Sequence, residues 1–302
     1  MIDGLIPLIK PVGMRSMEVI NQIKARLKNL YGKKIKMGHT GTLDRMAAGM
    51  FPLCVGKACR FTSFFTSWDK EYVAHIILGM STTTHDSEGV ITYTHDGPIP
   101  TVNTIIDAIT EHFTGEIWQV PPVVSAVRIK GRRAHEYYYD EGKTDEDVEI
   151  PPRQVFIYET QIIDYKVDGG LGHLFMRIRC SKGTYVRAIA RDLGKVLGVG
   201  GYMGGLVRTV SGPFRLDKGI PLGDLLRSDH PLDSVLSIET GLRTYPEIVL
   251  SDEDINYLKT GRGLKLGGEE AVESYFRVKN KVGQFVGLAQ MREGVLKVNL
   301  WL

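Results

Sequence analysis

The chain reads as an α+β protein, a mixed α/β sheet flanked by helices and followed by a small β-rich module. Three observations lead there. Stretches of helical spacing and stretches of strand alternation are interleaved without the regular period of a doubly wound sheet. From about residue 235 the texture changes to short apolar runs separated by Lys/Gly turns. With 302 residues, 43% hydrophobic and 24% charged, the chain is long enough for one large core and a second, smaller one.

The elements follow in order. Met17 to Leu30 places Val19, Ile20, Ile23, Leu27 and Leu30 at helical spacing, with Ser16 as the cap before it and Gly32 after it. Met50 to Val55 and Tyr72 to Leu78 are short apolar or alternating runs bounded by Gly and polar residues, which suits strands. Val102 to Phe113 predicts a helix and Val155 to Ile163 a strand. In His173 to Cys180, Leu174, Met176, Ile178 and Cys180 alternate with Phe175, Arg177 and Arg179, a strand that leads into Ser181-Lys182-Gly183-Thr184-Tyr185. A helix from about Tyr185 to Leu197 follows. Gly200-Gly201-Tyr202-Met203-Gly204-Gly205 lacks the GxGxxG spacing of a dinucleotide site and reads as flexible packing. Leu250 to Lys259 predicts a short helix, and Tyr275 to Val278, Phe285 to Ala289 and Val295 to Leu302 the strands of the terminal module.

Composition narrows the function. The stretch Met1 to Pro7 has an early acid, no basic n-region and no sustained apolar run, so no signal peptide or membrane span is expected and the cytoplasm is the default. Cys54, Cys59 and Cys180 are odd in number with no CxxC pair, and read as reduced packing residues rather than zinc ligands. No P-loop is present. The formal charge of +3 is spread unevenly. Arg128, Lys130, Arg132 and Arg133 cluster, and Lys33, Lys34 and Lys36 precede Asp44, while Asp140, Glu141, Asp145, Glu146, Asp147 and Glu149 bunch together. These are either solvated loops of opposite sign or a basic surface that the acidic bunch hides in the sum.

The run Gly38-His39-Thr40-Gly41-Thr42-Leu43-Asp44 sets one carboxylate at the end of a glycine-punctuated turn between apolar segments. Such a turn can present a side chain into a cleft. Alone, Asp44 is as well read as a solvated turn residue, Arg187 as a surface helix arginine, Tyr72 as an aromatic at a strand start, and Tyr185 and Leu206 as core residues.

Five ordered segments bear on that choice. Lys10-Pro11-Val12-Gly13-Met14-Arg15-Ser16 is similar to a KPxGxxS motif, and Gly38 to Asp44, continued by Ala48 to Gly56, to a GHxGxLD block. Lys70-Glu71-Tyr72, Gln119 to Ala126, and Cys180 to Arg187 complete the set. Together they resemble the TruB family of tRNA pseudouridine synthases, over nearly the whole chain, and the ending, with Leu250-Ser251-Asp252-Glu253-Asp254 at its start, resembles a PUA-type RNA-binding module.

The resemblance implies a pseudouridine synthase fold with a curved, mixed, largely antiparallel sheet. It implies a catalytic domain over 1–240, with an RNA-clamping insertion at about 121–150, and a PUA-like, β-barrel-like domain over 241–302. The implied activity is isomerisation of uridine 55, flipped out of the tRNA T loop, by a monomer with no cofactor and no metal. Asp44 would be the nucleophile, by attack at ribose C1′ or by another covalent route, with Arg187 paired to it and Tyr72 stacked on the base. Tyr185 and Leu206 would line the uridine pocket, His39 would meet neighbouring nucleotides, and Arg128, Lys130, Arg132 and Arg133 would neutralise T-arm phosphates. Arg45-Met46 stands where the family has Pro-Leu and Ala48 where Thr is common, so the turn after Asp44 is expected to be less rigid. The alternatives are a catalytically silent RNA-binding or tRNA-folding chaperone, or a guide-dependent rRNA pseudouridine synthase, which usually carries the Lys-rich tails not seen here.

Overall fold

The computed structural model of the protein describes residues 3–266 and 274–302. Met1 and Ile2 of the amino-terminal stretch, and 267–273 of the terminal module, lie outside the described residues.

A nine-stranded mixed sheet forms the body. Across it lie Ile220–Pro221, Leu8–Lys10, Ala47–Met50, Gly201–Ser211, Lys70–Leu78, Leu171–Cys180, Arg153–Asp168 and Gly115–Gln119, with Phe214–Arg215 folded back on Gly201–Ser211. Two pairings are parallel, Ile220–Pro221 with Leu8–Lys10 and Ala47–Met50 with Gly201–Ser211. The others are antiparallel. Strand alternation sends Tyr72, Ala74 and Ile76 to the inner face, where they share one core with Val19, Ile20, Ile23 and Leu27 of the first helix, Ser16–Tyr31. Ile105 and Ile109 of Val102–His112 and Ile189 and Leu193 of Val186–Val196 complete that core. Gly32 ends the first helix in the left-handed region at φ 68°.

Several expectations are corrected. Ser16 is the first helical residue rather than the cap, which is Arg15; its hydroxyl is used elsewhere. Met50 to Val55 is two strands: Met50 pairs with Ile9 in the large sheet, whereas Leu53 pairs with Ile6 and His39 in a separate three-stranded sheet. Between them Pro52 has no N–H to extend a ladder. The strand begun at Val155 continues to Asp168, with register shifts at Ile157/Glu159 and Ile162/Asp164, and each bulge inverts the alternation that reveals a strand.

The largest correction concerns Gly200 to Gly205. Gly201–Ser211 is a central strand, paired on both sides. Gly201 is required by closeness, since a Cβ there would sit 2.4 Å from the Ala190 carbonyl oxygen. Helix Val186–Val196 therefore lies directly on the strand's backbone, and this contact sets the helix depth.

Val123, Val127, Ala134, Val148 and Ile150 make a small core of their own. The terminal module is a curled five-stranded sheet, ordered Glu247–Leu250, Ser274–Asn280, Phe285–Arg292, Val295–Trp301 and Leu264–Lys265. It meets the body through Phe64 against Tyr275, edge-on at 5.0 Å, and Phe61 against Phe285 at 6.2 Å. No helix among the described residues is long and apolar enough to cross a membrane.

Gly201→Ala should therefore destabilise the protein by about 2 kcal/mol or more, because the added methyl meets backbone that cannot rotate away. Urea unfolding reads this directly, and a change below about 0.5 kcal/mol would show that helix and strand are not in contact.

Candidate active site

The Asp44 turn is held from beneath by one hydroxyl and two buried cations. Ser16 Oγ donates to Leu43 O at 2.8 Å and accepts from Leu43 N at 3.0 Å. Lys10, fully buried, donates to Ala47 O at 2.6 Å and Pro11 O at 2.9 Å. Arg208, also buried, donates through Nε to Met50 O at 2.7 Å and through Nη2 to Gly41 O at 3.1 Å. Charged donors on backbone carbonyls are strong hydrogen bonds, and a buried cation without them would be costly. Burial pushes the Lys10 ammonium down to about 8, with the Asp44 carboxylate pulling the other way.

Arg187 stands over this turn from the first turn of Val186–Val196. Its Nε lies 2.9 Å from Asp44 Oδ2 and 3.6 Å from Asp86 Oδ2. Nη1 donates to Thr84 O at 3.2 Å and Nη2 to Val124 O at 2.8 Å. The Arg187 side chain is 5% exposed, whereas the Asp44 side chain is 37% exposed. One carboxylate is therefore paired on its inner side and open on its outer side.

A cavity of about 270 Å³ opens over Asp44 and is lined by Tyr72, Tyr185, Arg187 and Leu206. The strand register explains the grouping. Leu206 pairs with Ala74 on one side and Ala47 on the other, so it faces the side on which Tyr72 points. Burial drives the Tyr72 phenol up, keeping its proton, while Arg208 pulls it down. Tyr185 caps the arginine helix; the Gln119 side chain accepts from its N–H at 2.7 Å and donates to its carbonyl at 3.1 Å. Burial raises the Tyr185 phenol as well.

His39 does not line this cavity. It stacks on Phe51 at 5.5 Å, and its Nδ1 accepts from Gly41 N at 3.2 Å, which leaves the proton on Nε2. Burial lowers its pKa. The basic run does not line it either, and within the run Arg132 is committed to Asp140, Glu136 and Glu141 and lies over the Tyr137 ring at 4.7 Å. The expectation that all four cations are available to phosphates is corrected for Arg132, because part of the acidic bunch folds back onto it.

Sequence reasoning missed Asp86, Arg208 and the role of Ser16. Asp86 is buried and accepts from Thr84 Oγ1 at 2.5 Å and Glu88 N at 3.0 Å. The acid in Thr82-Thr83-Thr84-His85-Asp86 carried no signal beyond an ordinary polar turn. The turn after Asp44 is also better braced than its missing proline suggested. Gly13 N donates to Arg45 O at 2.8 Å and Arg45 Nε to Gly13 O at 3.2 Å. Among the described residues no group of three or more His, Cys, Asp or Glu side chains could hold a metal ion.

Comparison with known proteins agrees with this construction. Residues 28–186 match the model of the TruB family pseudouridylate synthase N-terminal domain, 187–242 that of the tRNA pseudouridylate synthase B C-terminal domain, and 246–299 that of pseudouridine synthase II TruB, C-terminal. The chain is 35% identical over 292 residues to tRNA pseudouridine synthase B of Caldanaerobacter subterraneus, covering 95% of this chain and 94% of that protein. It is 38% identical over 269 residues to the protein of the same name from Geobacillus kaustophilus, covering 87% and 91%. In fold it is similar to a chain of a solved Cbf5–Nop10–Gar1 complex, with a TM-score of 0.71, 24% identity, and coverage of 99% of this chain and 84% of that one. The chain belongs to the TruB family of pseudouridylate synthases.

Proposed function

We propose that the protein converts uridine 55 of the tRNA T loop to pseudouridine, with Asp44 as the catalytic carboxylate acting on a flipped-out nucleotide. The observation that carries this reading is the single carboxylate, paired by Arg187 and open to a cavity of about 270 Å³ flanked by Tyr72 and Tyr185. That is room for one extruded nucleoside and no duplex. The reaction breaks the N1–C1′ bond and forms C5–C1′; a proton leaves C5 and N1 gains one. Nothing is oxidised, so one nucleophile and a place for the base to turn are sufficient.

Each residue then has a task. Arg187 pairs with Asp44 through Nε and holds its carboxyl in place at the cavity mouth. Tyr72 keeps its phenolic proton and offers a flat face for the uracil. Leu206 and Tyr185 exclude water, and His39 presents an Nε2–H to the nucleotides around the target. Relatives named tRNA pseudouridine synthase B support tRNA as the substrate class. We assign the catalytic unit to 1–240, with 121–150 closing on the T arm, and a PUA-like RNA-binding unit to 241–302. We assign action as a monomer, in the cytoplasm, where such a substrate is met.

A second surface fits the RNA backbone. Lys33, Lys34, Lys36, Lys57 and Arg60 line a cleft of about 510 Å³ at the base of strand Met37–His39, with Asp3 the single acid. All five cations are exposed. A polyanion running from this cleft past His39 would reach Asp44.

The substrate is tested by incubating pure protein with unmodified tRNA transcript, labelling pseudouridine with carbodiimide and mapping the stop by primer extension. A stop at the T-loop uridine is expected, and a stop elsewhere would overturn the assignment. Asp44→Asn should cut tritium release from C5-labelled uridine by roughly a thousand-fold or more while leaving the tRNA dissociation constant within about two-fold. Residual activity near wild type would remove Asp44 from the mechanism. Reversing Lys33, Lys34 and Lys36 to Glu should weaken tRNA binding by about ten-fold or more and flatten its dependence on salt; an unchanged salt slope would place the RNA elsewhere.

A further inference from the structure

We propose that Asp145, an acid of the insertion that does not line the cavity, is the positioning residue that keeps Arg187 seated on Asp44. The inference rests on the pseudouridine reading above and names a further residue on which that chemistry depends.

Asp145 ties together three segments that are distant in sequence. Its Oδ2 accepts from His85 Nε2 at 2.8 Å and Arg191 Nη1 at 2.7 Å, and its Oδ1 accepts from Val123 N at 2.6 Å. These donors hold the carboxyl below its ordinary range although burial pushes it upward. Each tied segment is a neighbour of an Arg187 contact. Val123 precedes Val124, whose carbonyl receives Arg187 Nη2. His85 lies between Thr84, whose carbonyl receives Nη1, and Asp86, whose carboxylate faces Nε. Arg191 lies one turn beyond Arg187 on the same helix. The contacts of the guanidinium other than Asp44 thus come from segments that one carboxylate clasps.

Two further features show that the clasp carries load. His85 sits at φ 57°, a left-handed backbone that a residue with a β-carbon adopts at a cost of roughly 1 kcal/mol or more. Its Nδ1 is buried without a hydrogen-bond partner, so the Asp145 contact is the hydrogen bond that holds the ring. Tyr138 OH adds a parallel strut to Thr83 Oγ1 at 3.0 Å, and Arg191 Nη2 donates to Val120 O at 2.9 Å, which ties the start of the insertion to the same helix. Without the Asp145 charge, the 83–86 loop and the Val123 segment lose the anchor they share with the arginine helix, and the carbonyls around Arg187 are free to shift.

The test uses the full chain under single turnover with C5-tritiated, unmodified tRNA transcript, together with the tRNA dissociation constant and the melting temperature of each variant. Asp145→Asn should lower the single-turnover rate by about ten-fold or more with the dissociation constant within about two-fold, since misplacement by about 1 Å is felt in the chemical step. His85→Ala should act in the same direction by a smaller factor, and His85→Gln, which keeps a donor, should recover part of the loss. Asp147→Asn serves as control, because Asp147 caps Thr144 in the same insertion and faces none of these groups. A wild-type rate in Asp145→Asn, a loss no larger than in Asp147→Asn, or a loss confined to binding would overturn the proposal. Should Asp145→Asn fail to fold, the His85 pair decides it: His85→Ala removes one arm, His85→Gln keeps a donor there, and both leave Arg191 and Val123 tied; equal wild-type rates in the two would overturn the proposal. A wild-type protein that released no tritium would instead count against the functional reading.

Discussion

A guanidinium almost wholly removed from water must set its N–H groups on acceptors, and for Arg187 those acceptors come from parts of the chain far apart in sequence. The Asp44 turn supplies one, the loop through Thr84 and Asp86 supplies two, and the segment at Val124 supplies one. A buried cation missing a partner is strongly destabilising. The segments therefore assemble around Arg187 together, and the same contacts that stabilise the fold orient the proposed nucleophile.

The Asp44 turn is itself suspended between two strands of the large sheet. Lys10 reaches it from Leu8–Lys10 and Arg208 from Gly201–Ser211, and both donate to carbonyls. Carbonyls keep these cations from pairing with Asp44, which is left to Arg187 on one side and to the cavity on the other. Ser16 closes the arrangement by bonding both backbone groups of Leu43, immediately before the aspartate. Arg45, directly after the aspartate, makes two hydrogen bonds with Gly13. Rigidity that a proline ring would provide by fixing φ is provided here by contacts across the chain.

The charges of the insertion divide into two groups with different work. Asp140 and Glu141 fold onto Arg132, and Asp145 binds His85 and Arg191. Counting charges along the chain treats all six acids as one solvated bunch. In the folded molecule they separate because the helix Ala134–Glu141 ends at Gly142, at φ 68°, which leaves Asp140 and Glu141 on the helix and Asp145 in the segment after the turn.

Helices and strands with a regular apolar period were legible in the residues themselves: the first helix, the strand Leu171–Cys180, the arginine helix and the strands of the terminal module. That legibility comes from burial of one face, which imposes a period of 3.6 or 2 on the sequence. Asp44 stood out by its glycine turn, and the resemblance supplied its partners. The glycine-rich central strand was misread, because Gly201 answers to a helix packed on top of it and local pattern contains no trace of that helix. The roles of Asp86, Arg208 and Asp145 had no local signature either. A polar residue's sequence neighbours do not reveal which buried cation, carbonyl or ring it will face. The amino-acid order by itself therefore determined the class of fold, its elements and the one carboxylate placed for chemistry. Tertiary structure alone decided which charges are paired, which are open and which hold the others in place, because hydrogen-bond satisfaction of buried charge is settled between segments rather than within them.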